Sequence, residues 1–108
     1  MNLYQELDIA WHFSNCKDFK IFAIDLFCGA GGETTGIEEA EINGEKVAKV
    51  VICINHDKNA ILSHNANHPD CLHFTEDIRN FDMNTAIFVV KQIRKWHSKS
   101  KILLHASL

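Results

Sequence analysis

Three short stretches of this chain place residues that could do chemistry together. The first is Asp25, followed by a turn holding Gly29, Gly31 and Gly32. The glycines let the backbone turn sharply and approach a ligand closely, and a helix beginning there would point free N–H groups at it. The dinucleotide fingerprint G-x-G-x-x-G fails, because Thr34 stands where its last glycine belongs. The phosphate loop G-x-x-x-x-G-K-[ST] fails as well, because no lysine follows a suitable glycine. A carboxylate just before the loop suits a cationic amine better than a pyrophosphate. The second stretch, Asn55-His56-Asp57, offers acceptors to ribose hydroxyls. The third, Asp77-Ile78, offers a carboxylate to an exocyclic amine and a backbone N–H to a ring nitrogen. A ligand with an amino-acid end, a sugar and a purine would use all three, and S-adenosylmethionine is such a ligand. A plainer reading stays open, in which each acid only caps the helix that follows it.

Other reactive residues point less clearly. Cys16, Cys28, Cys53 and Cys71 show no metal-knuckle spacing. Cys28 lies at a strand end near a helix start, where a thiolate is favoured. No base is fixed beside it, so it reads as pocket lining. His64 and His68 are four apart and could share a helix face, but H-E-x-x-H is absent and no third ligand has an obvious place. No metal is expected. His56 reads as a pocket wall, and His73 and His105 as ordinary strand residues.

Alternating elements must position these groups. Ile21–Leu26 is an apolar, β-prone run broken only by Asp25, as suits a parallel strand covered on both faces. Thr34–Asn43 reads as a helix stopped by Asn43-Gly44, with Glu38, Glu39 and Glu41 facing water. Val47–Ile54 is a second strand, Lys58–Asn67 a second helix with His64 on its inner side, and Cys71–Thr75 a third strand. Met83–Trp96 is a third helix, with Ile87, Val90, Ile93 or Arg94, and His97 one turn apart. Ile102–Ala106 is a fourth strand. Right-handed crossovers put these strands in one parallel sheet. The three chemical stretches then leave at one edge, outside the strand carboxyl ends, where α/β sheets bind ligands. Residues 1–17 form a lead-in, with Leu3, Leu7, Ala10 and Trp11 at helical spacing and Phe13 beside them. That pattern suggests an amphipathic helix laid on the domain.

Composition is that of one globular domain: 108 residues, 46% apolar and a formal charge of −3. Residues 79–101 hold six Lys/Arg against Asp82 alone, which reads as a solvated, basic helix face. With no signal peptide or long apolar run, a cytoplasmic protein with reduced, free cysteines and no membrane contact is expected.

The run Asp25-Leu26-Phe27-Cys28-Gly29-Ala30-Gly31-Gly32, followed by Thr35-Gly36, closely resembles the first motif of the DNA cytosine-5 methyltransferases. Asn55-His56-Asp57-Lys58-Asn59-Ala60 resembles the second and Asp77-Ile78 the third. The resemblance covers about Ile21 to Leu108. It implies a three-layer, Rossmann-like methyltransferase fold over 18–108, with the four strands in the order 3-2-1-4. It also implies S-adenosyl-L-methionine as cofactor, held by Asp25, Phe27, Cys28, Gly29, Gly31, Gly32, Thr35, Asn55, His56, Asp77 and Ile78. Phe27 would lie against the adenine, Asp77 would accept from its amine, and the Ile78 backbone would meet its ring. Where the family commonly has a Glu for the ribose, this chain has the neutral Asn55, which implies weaker cofactor binding. The family's Pro-Cys motif, whose Cys attacks C6 of a flipped cytosine, would follow the fourth strand and is not reached. The resemblance therefore implies a bacterial or phage DNA-modifying enzyme, of which these residues are an inactive cofactor half. The alternative is a stand-alone S-adenosylmethionine-binding domain. DNA is the partner implied for the complete enzyme. The open edge of the fourth strand suggests self-association.

Overall fold

The computed structural model describes residues 1–26 and 31–106. Among the described residues there are six strands and four α-helices. Helix α1 is Leu3–Asn15 and strand β1 is Ile21–Leu26. After α2 (Gly32–Glu39) come the short strands β2 (Glu41–Ile42) and β3 (Glu45–Lys46), then β4 (Ala48–Asn55). Helix α3 (Lys58–Asn67), β5 (Leu72–Thr75), a 3₁₀ turn at Ile78–Asn80, α4 (Met83–Trp96) and β6 (Lys101–Ala106) complete it. Four strands form one sheet in the order β5-β4-β1-β6, and every neighbouring pair is parallel.

The helices start where polar side chains meet their free N–H groups. Asn2 and Gln5 form a reciprocal capping box on α1. Asp57 accepts from the Asn59 N–H on α3, and Asp82 from the Asn84 N–H on α4.

The sheet is covered on both faces. Ile9 and Phe13 of α1 and Ala86, Val89 and Ile93 of α4 pack with Phe22, Ile24, Ile52 and Ile54 on one side. On the other, Ile61 of α3 and Ile37 of α2 pack with Ala23, Val50 and Cys53. A bulge between Ala23 and Ile24 leaves Val51 of β4 without a partner on β1. Both Val51 and Ile52 therefore face the α1–α4 side.

Four sequence expectations change. The helix expected over Thr34–Asn43 ends at Glu39, and Asn43-Gly44 turns a small antiparallel hairpin instead. Both turn residues have positive φ, 53° and 79°, as the two-residue hairpin turn requires. Glu38 does not face water. Its carboxylate accepts from the Val50 N–H at 3.0 Å and pairs with Lys49 at 3.1 Å. On α1 the expected stripe is the outer one: Leu3, Leu7 and Trp11 are exposed, while Ile9 and Phe13 are buried. On α4 the inner face is Thr85, Ala86, Val89 and Ile93, one position off the expected Ile87 and Val90.

Candidate functional site

The carboxyl ends of β1, β4, β5 and β6 lie along one edge of the sheet. On its α4 side is an apolar cavity of about 210 Å³, walled by Leu26, Ile54, Ile78, Phe81, Met83 and Leu104, among others. Pockets that enclose a whole small molecule run to about 300–1,000 Å³. This one is the size for a single ring system and not for an entire nucleoside-amino acid.

Ile78 lines this cavity, and Asp77 precedes it in the chain. Asp77 caps the 3₁₀ turn. Its Oδ1 accepts from the Arg79 backbone N–H at 2.9 Å and from Nε at 3.0 Å, and Oδ2 accepts from Nη2 at 2.6 Å. These bonds to Arg79 hold the carboxyl well below the usual carboxylate range. A carboxylate has about four lone-pair sites, so about one is left for a ligand donor. Ile78 is the first residue of the turn, and its N–H has no intrahelical acceptor by geometry.

Asn55 ends β4, and its side-chain oxygen accepts from the Asp57 N–H at 2.8 Å. His56 beside it is exposed. Gly31 caps α2 with φ of 110°, a left-handed conformation. An added Cβ there would fall 3.0 Å from the His68 ring and 3.2 Å from that of His64. Glycine at 31 is thus needed for both backbone and space. Gly32 opens the first turn of α2 and is exposed, and Thr35 Oγ1 lies 3.0 Å from His68 Nε2. Phe27, Cys28 and Gly29 lie outside the described residues.

Asp25 does not present its carboxylate to a ligand amine. It is wholly buried, accepts from Thr34 Oγ1 at 3.0 Å, and lies 3.4 Å from His105 Nδ1. Thr34 Oγ1 also lies 2.8 Å from His64 Nε2, and His64 Nδ1 lies 2.6 Å from His73 Nε2. His73 and His105 are therefore members of a polar layer beneath α2 and α3, not isolated strand residues. One signal of that layer is legible in the sequence, an acid inside an apolar strand. Its other members meet only through the register, which sets Asp25 opposite both Cys53 and His105, and Cys53 opposite His73. Cys53 is disulfide-bonded, not the free thiol expected, whereas Cys16 and Cys71 are free. Burial pushes the Cys71 thiol far up.

A parallel α/β sheet with a glycine-capped helix after its first strand and an apolar slot at its carboxyl edge is consistent with a methyltransferase-like fold. Residues 21–95 match the family described as C-5 cytosine-specific DNA methylase, and the chain belongs to that family. No curated protein and no solved structure gives a significant match. Among the described residues, no helix is long and apolar enough to cross a membrane.

Proposed function

We propose that residues 18–108, with 1–17 as a lead-in helix, form the S-adenosyl-L-methionine-binding part of a DNA cytosine-5 methyltransferase. Family membership supplies the reaction, and the sheet order β5-β4-β1-β6 supports a methyltransferase-type fold. The observation that carries the cofactor reading is the apolar slot lined by Ile78 and Phe81, with the Asp77 carboxylate capping the turn that Ile78 begins.

Ile78 and Phe81 take the adenine ring, Asp77 accepts from its amine, and the Ile78 N–H meets a ring nitrogen. Asn55 accepts from the ribose, with His56 at the outer wall. Gly31, Gly32 and Thr35 bring the first turn of α2 to the amino-acid end. Asp25 acts from below, by fixing Thr34 in that turn. The cofactor, when bound, supplies the methyl group.

DNA is the partner of the complete enzyme. The sequence contains no Pro-Cys pair, so these residues hold no nucleophile of the family's type and transfer no methyl group by themselves. Titration of S-adenosylhomocysteine into the 108-residue chain, followed by calorimetry, tests the cofactor reading. Saturable binding at one equivalent is expected. Asp77→Ala should weaken it, because a charged acceptor for the adenine amine is lost. Absence of saturable binding would overturn the reading.

A further inference from the structure

One row across the sheet carries His73 of β5, Cys53 of β4, Asp25 of β1 and His105 of β6 in register. Thr34 of α2 and His64 of α3 descend onto it. Among the described residues, Cys53 Sγ and one nitrogen each of His64 and His73 lie within 4.8 Å of one another. Cys53 and His64 are wholly buried.

The proton count prepares His64 as a ligand. Thr34 has one hydroxyl proton, which it donates to the Asp25 carboxylate. Its oxygen must then accept from His64 Nε2–H at 2.8 Å. In a neutral imidazole the other nitrogen, Nδ1, carries the lone pair, and across 2.6 Å it accepts from His73 Nε2–H in the metal-free chain; for Nε2 to bind a metal, His73 passes that proton to solvent and takes one up at its own Nδ1, so the ring stays neutral. An acceptor that fixes the far nitrogen is the arrangement found around metal-bound histidines. The neighbouring Asp25 carboxylate adds a negative charge that favours a cation.

Cys53 is disulfide-bonded, so its sulfur is a poor ligand until the bond is opened. A dithiol does this by exchange. It gives two electrons and two protons to the disulfide, converting both sulfurs to thiols, and itself closes to a disulfide. The Cys53 thiol then releases its proton to solvent as it binds a metal. One thiolate and two imidazoles form a borderline donor set suited to zinc.

We propose that, after reduction by a dithiol, Cys53 Sγ, His64 Nδ1 and His73 Nε2 bind one zinc ion, with water as the fourth ligand. The oxidised chain does not bind it, so the site couples thiol redox state to metal occupancy beneath the Gly31 turn.

The full chain, reduced with a dithiol and freed of it without air, is titrated with Co²⁺ and then with Zn²⁺. One equivalent of cobalt with a sulfur-to-cobalt charge-transfer band, displaced by zinc, is expected. The band should be absent in the oxidised chain and in Cys53→Ala. His73→Asn and His73→Gln should each weaken binding by at least about tenfold, with the fold checked by circular dichroism. Either of two results overturns the proposal. One is no stoichiometric binding by the reduced chain. The other is binding that survives unchanged in both Cys53→Ala and the His73 variants.

Discussion

The hydroxyl of Thr34 donates to the Asp25 carboxylate at 3.0 Å while both side chains are fully buried. A carboxylate with no water around it needs such a donor, because a buried polar group without a partner costs about 1–3 kcal/mol, and more when charged. The bond also ties the first turn of α2 to the end of β1. Thr34→Val keeps the shape and removes the donor. We expect it to lower unfolding free energy by about 2–3 kcal/mol, with Thr34→Ser recovering most of the loss. Urea denaturation followed by circular dichroism checks both.

Asp77 gives a pH prediction of definite sign. Its pKa is depressed by the Arg79 bonds, so the carboxylate stays charged as pH falls through the range where an ordinary Asp is protonated. Its contribution to stability is therefore present above the unfolded-state pKa of about 3.9 and is lost only as pH falls through the lower folded value. In Arg79→Ala the midpoint should return to about 3.9. Carboxyl chemical shifts followed by NMR across acid pH read the difference. An unchanged midpoint in the variant would show that Arg79 is not the cause.

On α1 the two aromatic positions should behave oppositely. Phe13 is 2% exposed and sits in the core, whereas Trp11 is 69% exposed. Phe13→Ala should cost about 3–5 kcal/mol, as large-to-small core changes do. Trp11→Ala should stay within about 0.5 kcal/mol, as surface changes do. Equal losses in thermal or urea melts would mean that the outer stripe is covered.

Strand β6 pairs with β1 on one side only, and Leu104 on it is 64% exposed. Open edges invite further strand pairing, and edge lysines oppose it. We expect the chain to dimerise or assemble further at high concentration, with Leu104→Lys shifting it toward monomer. Light scattering over a concentration series decides. A monomeric mass throughout would remove the edge as a contact.

Element type was readable from the sequence wherever pattern and punctuation agreed. Met83–Trp96 and Lys58–Asn67 have the bounds expected of them, because Asp82 and Asp57 mark their starts and periodic apolar residues carry them through. Asn43-Gly44 stops a helix or turns a hairpin equally well, and only the pairing of Ile42 with Glu45 decides between them. The face of α1 was ambiguous because apolar residues occur on both sides of it. What selects Ile9 and Phe13 is distant: His97, at the end of α4, reaches the Phe13 carbonyl through Nε2 at 2.7 Å and Asp18 through Nδ1 at 2.8 Å. At the candidate site, the three chemical stretches could be located by spacing. Two things could not: the burial of Asp25, and the walls of the slot, Phe81 from the 3₁₀ turn's end and Met83 from a helix expected only to pack. The meeting of His64 with Cys53 and His73 is a product of register, and local spacing carries no trace of it.

The bulge at Val51 has a consequence for the length of the strand. Ala23 pairs with Val50 and Ile24 with Ile52, so Val51 is a supernumerary residue that the ladder steps around. Excising it would join Val50 to Ile52 in ordinary alternation, and Cys53 would still stand between Asp25 and His73. Trimming its side chain to alanine would instead leave the ladder as it is and open a void under α1, where Val51 is buried. In the grammar of the sheet Val51 is a silent letter, yet its side chain is part of the core beneath α1.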